Sequence, residues 1–194
     1  TQSNDAAVQA AGLGVALATV MLGALVAAIL WLTPSLARWA APADVAPFWL
    51  AFLPLWYLSI AAFEELLVRG YLLQTLAESF GEPVALLATS AGFALIHLGN
   101  DHLGPLAVLN LFLAGVLMGA LVLRGRTLWG AIGFHFAWNA LMGNGFGLPV
   151  SGIDVRAYFR NAYNVAEPEL AAMPQGWDVA LAGPEWLTGG AFGP

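Results

Sequence analysis

Long apolar runs separated by short polar punctuation dominate the chain. Val8 to Leu32 carries no charge over about 25 residues, more than the roughly 20 an α-helix needs to cross the hydrocarbon core, and predicts a first membrane helix. Thr33-Pro34 ends it, and a connector holding Arg38, Pro42, Asp44 and Pro47 leads to a second run, Phe48 to Phe63. The helical pattern of that run continues through Glu64, Glu65 and Arg69 to about Phe80, where Gly81-Glu82-Pro83 supplies a stop. A third run covers Val84 to Leu98 and terminates at Gly99-Asn100-Asp101. A fourth extends from Pro105 to Leu123 before the Arg124-Gly125-Arg126 turn, and a fifth covers Leu128 to Met142. Several runs fall short of a full crossing, which predicts tilted helices or a cavity that admits water to mid-depth. After Gly143 the chain turns to Gly, Pro and polar residues with scattered Trp, which predicts an interfacial tail with little regular structure. The expected fold is therefore all-α. It is a polytopic transmembrane bundle of about five helices over residues 1–142, followed by a Gly/Pro/Trp-rich interfacial tail over 143–194.

Composition agrees with that pattern and narrows the function classes. The 194 residues are 60% hydrophobic and 9% charged, against about one quarter charged in a soluble domain, so the lipid bilayer is the expected solvent. With no cysteine, disulfide frameworks, thiolate metal sites and Cys nucleophiles are excluded. The net charge of -6 and the absence of a basic patch argue against nucleic acid as a partner. The arginines divide evenly between the two sides of the predicted spans, with a slight preference for the short Arg124–Arg126 turn facing the cytoplasm. No internal repeat of the transporter kind is visible, and the chain reads as a fragment of a longer protein.

Charged and ionisable groups inside apolar runs are costly, so they mark functional sites by default. Glu64, Glu65 and Arg69 share one helix, His97 closes the third run, and His135 with Asn139 sits in the fifth. Glu65 and Arg69 are four apart and meet on one helix face as a self-neutralising pair. Glu64 is rotated by about 100° from Glu65 and is left free to act elsewhere, which makes it the candidate general base. His135 and Asn139 project from one face of their helix. Two chemistries fit. In one, His97 and His135 bind a divalent metal, Zn2+ or another, with Glu64 or Asn139; in the other, the imidazoles and Asn139 donate hydrogen bonds to a developing oxyanion without a metal. HExxH is absent, so a metal site would draw on different helices. Phe93, one turn before His97, can wall the site.

Each feature also has a plain structural reading. Glu65–Arg69 alone is an ion pair, a single intramembrane His is a hydrogen bond between helices, and Phe93 alone is core. His102 beside Asp101 reads as solvated, while Asn110, Thr19 and Ser59 can satisfy themselves against helix backbones or neighbouring helices. It is the combination on three separate apolar helices that independent structural roles do not explain.

These residues also resemble a known family. Glu64-Glu65-Leu66-Leu67-Val68-Arg69, Phe93-Ala94-Leu95-Ile96-His97 and His135-Phe136-Ala137-Trp138-Asn139 look like the EExxxR, FxxxH and HxxxN motifs of the CAAX-protease and bacteriocin-processing (abortive-infection) family of intramembrane proteases. The resemblance implies an endopeptidase that cuts a peptide or membrane-protein substrate in a cavity reached from the lipid, in the bacterial cytoplasmic membrane. It implies that Glu64 with His97 activates a water, that His135 and Asn139 stabilise the oxyanion or help hold a metal, and that Glu65 and Arg69 support the site. In eukaryotic members the substrate is a prenylated CAAX protein. The competing expectation is a non-enzymatic bacteriocin-immunity or membrane-interaction protein on the same scaffold. A proton- or ion-coupled carrier would require broken repeated helices that the sequence lacks.

Overall fold

A computed structural model describes residues 2–39 and 45–194, so Pro42 and Asp44 of the predicted connector lie outside the described residues. The chain forms α1 (Gln2–Leu32), β1 (Leu36–Trp39) and α2 (Pro47–Glu65). A π-helical stretch, Leu66–Leu72, joins α2 without a break to α3 (Leu73–Phe80). There follow α4 (Glu82–Ile96), α5 (Pro105–Gly125) and α6 (Trp129–Ala140), which runs into a second π turn, Leu141–Gly145. Beyond it lie α7 (Val155–Tyr163), α8 (Glu167–Ala171), β2 (Trp177–Ala180), α9 (Glu185–Thr188) and a 3-10 turn, Gly190–Phe192.

Local chemistry sets the helix ends. Proline opens α2, α4 and α5 in the first turn, where its missing N–H has no helical partner to lose. Gly81, at φ 83°, takes a backbone conformation that breaks α3 from α4. Each of the five predicted runs folds as a helix with bounds close to those expected. Three are long and apolar enough to cross a membrane: Asn4–Leu32, the 34-residue Pro47–Phe80 and Pro105–Gly125. The other two are shorter, 15 residues for α4 and 12 for α6. Large apolar side chains such as Leu13, Val20, Leu55, Phe63, Leu95 and Ile96 stand exposed on the outer faces. So much exposed aliphatic and aromatic surface is what a lipid-facing bundle presents, and the protein is an integral membrane protein.

The short α6 is the central helix. It packs against α1, α2 and α5 and buries Ala131, Ile132, Phe134, His135 and Ala137. Small residues let α1 and α6 run side by side at close range: a Cβ on Gly133 would stand 2.4 Å from the Ala11 carbonyl oxygen, and one on Gly14 would stand 2.1 Å from that of Gly130. Similarly, Gly115 of α5 lies against Ser90 of α4.

The segment after Gly143 is more ordered than its composition suggests. Its helices α7 and α8 bring Val155, Phe159, Leu170 and Met173 onto Trp49, Leu53 and Tyr57 of α2. Leu148 and Val179 pack on Leu22 and Val26 of α1. β2 pairs antiparallel with β1, in the stretch read from sequence as connector, with Leu36 opposite Ala180 and Trp39 opposite Trp177. Composition alone misses this because the order comes from contacts between segments far apart in the chain. Scattered Gly and Pro punctuate short elements that have no long periodic run of their own. The result is a cap over the end of the bundle where α1 stops and α2 begins.

Candidate active site

Glu64 and Glu65 lie at the end of α2, and Arg69 lies in the π stretch that follows. The π geometry is visible in the backbone bond from Leu73 N–H to the Val68 carbonyl, five residues back. The Gln74 side-chain amide donates to the Arg69 carbonyl (3.1 Å), satisfying a backbone group at the distorted turn. Arg69 and Glu65 are both buried, with side chains 1% and 0% exposed, and Arg69 Nη1 donates to Glu65 Oε1 at 2.7 Å. The guanidinium is held on two further sides. Nη2 donates to the Gly115 carbonyl of α5 (3.3 Å), and the Phe93 ring lies 4.4 Å from the guanidinium carbon.

Glu65 Oε1 also accepts from His135 Nδ1 at 3.0 Å. A carboxylate only accepts, so His135 Nδ1 carries a proton and donates it to Glu65. His135 Nε2 faces Glu64 Oε2 at 3.9 Å. Glu64 is the less enclosed of the two glutamates, 23% exposed, yet its Oε2 is itself buried and accepts no hydrogen bond among the described residues. A water oxygen about 2.8 Å from each atom would reach both, the two bonds meeting at roughly a right angle. His97 is oriented in the same way as His135 but by backbone: its Nδ1 lies 2.8 Å from the Phe93 carbonyl, an acceptor, which leaves Nε2 bare. The Phe93 ring stands between the two imidazoles, 4.8 Å from that of His97 and 6.0 Å from that of His135.

His97, His135 and Asn139 line one cavity of about 440 Å³. Its walls come from α1 (Met21, Leu25), α5 (Leu106 to Met118), α6 and the capping segment, including Ser151, Trp186 and Phe192. Glu64, Glu65 and Arg69 are not among the lining residues; the two glutamates reach His135, and Arg69 reaches Glu65. The six polar residues singled out from sequence are thus brought to one region through His135 and Phe93. The pairing of glutamates with histidines is one the sequence does not specify: both glutamates approach His135, and the contact made by His97 is to the Phe93 carbonyl.

Among the described residues, no three His, Asp or Glu side chains converge closely enough to hold a metal ion. His135 has Nδ1 committed to Glu65, Glu65 is committed to Arg69, and the available atoms are Glu64 Oε2, Glu65 Oε2 and two Nε2 atoms on different helices. Glu64 Oε2 and the Nε2 atoms of His97 and His135, the donors considered from sequence, accept no hydrogen bond among the described residues.

Three contributors escaped the sequence reading. Gly115 offers Arg69 its backbone carbonyl. Ser151 comes from the cap and reaches the cavity. Asn110, read as self-satisfied, lines the cavity instead. Thr19 and Ser59 do satisfy themselves, donating to the carbonyls of Val15 and Trp56 (2.8 Å each).

A family model described as type II CAAX prenyl endopeptidase Rce1-like covers residues 46–141, which contain all three motifs. No curated protein and no solved structure matches the chain.

Proposed function

Given that the chain belongs to the Rce1-like CAAX prenyl endopeptidase family, within the CAAX-protease and bacteriocin-processing group, we propose that it is a glutamate-dependent intramembrane endopeptidase of the bacterial cytoplasmic membrane. The observation that carries this reading is the approach of Glu64 Oε2 to His135 Nε2 beside a cavity lined by His97 and Asn139. Its substrate is a membrane-associated peptide or protein segment, prenylated or not, that enters the cavity between apolar walls.

In the proposed reaction, Glu64 and the Nε2 atoms of the histidines orient a water. Glu64 takes its proton as the water oxygen bonds to the scissile carbonyl carbon. The carbonyl electron pair moves onto oxygen, where the Asn139 amide donates a hydrogen bond to the charge that develops. Collapse re-forms the carbonyl and breaks the C–N bond, and Glu64 returns the proton to the departing amine. Glu65 and Arg69 touch no reacting atom. Glu65 holds the Nδ1 proton of His135, and Arg69 balances the Glu65 charge.

The test is cleavage of an internally quenched peptide ending in a CAAX box, with and without a farnesyl group, by the purified chain in lipid nanodiscs. Glu64→Gln should abolish turnover while helical circular dichroism stays unchanged. Undiminished turnover by that variant would sink the protease reading. Treatment with a strong chelator followed by dialysis should leave wild-type turnover intact, and a loss restored by Zn2+ would reverse the metal-free assignment.

A further inference from the structure

Asn110 is out of place in α5. The helix is one of the three that can cross the membrane, and its cavity-facing stripe, Leu106, Leu113, Ala114 and Leu117, is apolar above and below Asn110. Polar side chains elsewhere in the helices turn back onto their own backbone, as Thr89 does to Ala85 (2.8 Å) and Ser90 to Leu86 (2.6 Å). Asn110 does not. The hydrogen-bonded asparagine side chains are those of Asn100 and Asn144, and the Asn110 amide has no protein partner among the described residues. It is also exposed, flanked by exposed Leu106, Leu109 and Leu113. An unpartnered amide at such a place costs free energy unless something enters to meet it.

We infer that Asn110 is a substrate-binding residue that hydrogen-bonds the main chain of the peptide lying in the cavity; this rests on the protease reading above. A carboxamide presents one donor group and one acceptor side by side, the complement of a peptide N–H and C=O. The cavity lining contains no Arg, Asp or Glu among the described residues, so its chemistry suits a neutral backbone rather than an anionic headgroup. The leucine stripe on either side of Asn110 would take the apolar side chains of the same peptide. His97, His135 and Asn139 line the same cavity, so a peptide held at Asn110 extends toward the reacting groups.

Asn110→Leu and Asn110→Ala, made in the full chain and assayed with the quenched CAAX peptides, should raise KM roughly tenfold while kcat stays within about twofold, as expected for loss of a substrate hydrogen bond. In the Glu64→Gln background, where the peptide is not cut, Asn110→Leu should weaken peptide binding by the same factor in fluorescence anisotropy. Thermal midpoints should not fall, because leucine is better suited than asparagine to that stripe. An unchanged KM, or a fall in kcat alone, overturns the assignment of Asn110 and leaves the protease reading standing. A wild-type protein that neither cuts nor binds the peptides overturns both.

Discussion

His135 is the residue on which the site turns, because each of its ring nitrogens meets a different glutamate. Glu65 Oε1 accepts from both Arg69 and His135 Nδ1, so the three form one buried unit in which a single removal leaves a charge or a proton without a partner. Arg69→Leu should therefore destabilise the protein by about 3–5 kcal/mol in thermal or denaturant unfolding. Replacing both partners, Glu65→Leu with Arg69→Met, should recover much of that stability, since no uncompensated charge remains. Turnover should stay lost in the double variant, because the His135 Nδ1 proton then has no acceptor. Asn139 has a different role, donating only as charge develops on the carbonyl oxygen. Asn139→Leu should lower kcat by about 10²–10³-fold with little change in KM. The four-residue spacing of Glu65 and Arg69 announces their pairing in the sequence. Nothing local announces that His135 shares the same carboxylate, since the two lie 70 positions apart.

Among the elements, the two π stretches each adjoin a motif. Leu66–Leu72 contains Arg69, and Leu141–Gly145 follows directly on the helix that carries His135 and Asn139. Apolar periodicity locates the helices but does not reveal these turns, because a π stretch differs from an α-helix by a shift of one residue in its hydrogen bonding. The contact between α1 and α6 is equally hidden. Gly14 and Gly133 are unremarkable within apolar runs, and only the close approach of two backbones shows why a side chain is excluded there. Gly133→Leu should force the helices apart, lowering the thermal midpoint and impairing turnover as α6 carries His135 away from Glu65. Gly12→Ala, one residue-pair away on α1 with nothing within 4 Å of its added Cβ, should leave the midpoint unchanged or higher.

At the scale of the whole molecule, the cap and the bundle form one body around the cavity. Tyr57 of α2 donates to Asn144 Oδ1 (2.7 Å), and Asn144 Nδ2 donates to the Pro174 carbonyl (2.7 Å), tying the helix, the π turn and the cap together. Trp49 Nε1 adds a bond to the Glu169 carbonyl at 2.9 Å. Tyr57→Phe should cost about 1 kcal/mol in unfolding, and more if Asn144 finds no other donor. The same cap supplies Ser151, Trp186 and Phe192 to the cavity wall, so a segment that reads as a loose interfacial tail shapes the space a substrate would occupy. The sequence by itself determined the bilayer as solvent, the five helices and the residues that bear the polar motifs, because uninterrupted apolar runs, helix stops and the cost of charge in hydrocarbon are properties of neighbouring residues. Tertiary structure alone decided which glutamate meets which imidazole, that Asn110 faces the cavity, and that Ser35 is bonded to Ala182 across 147 positions. Those outcomes depend on the rotation and close packing of elements remote in the chain, which no local pattern encodes.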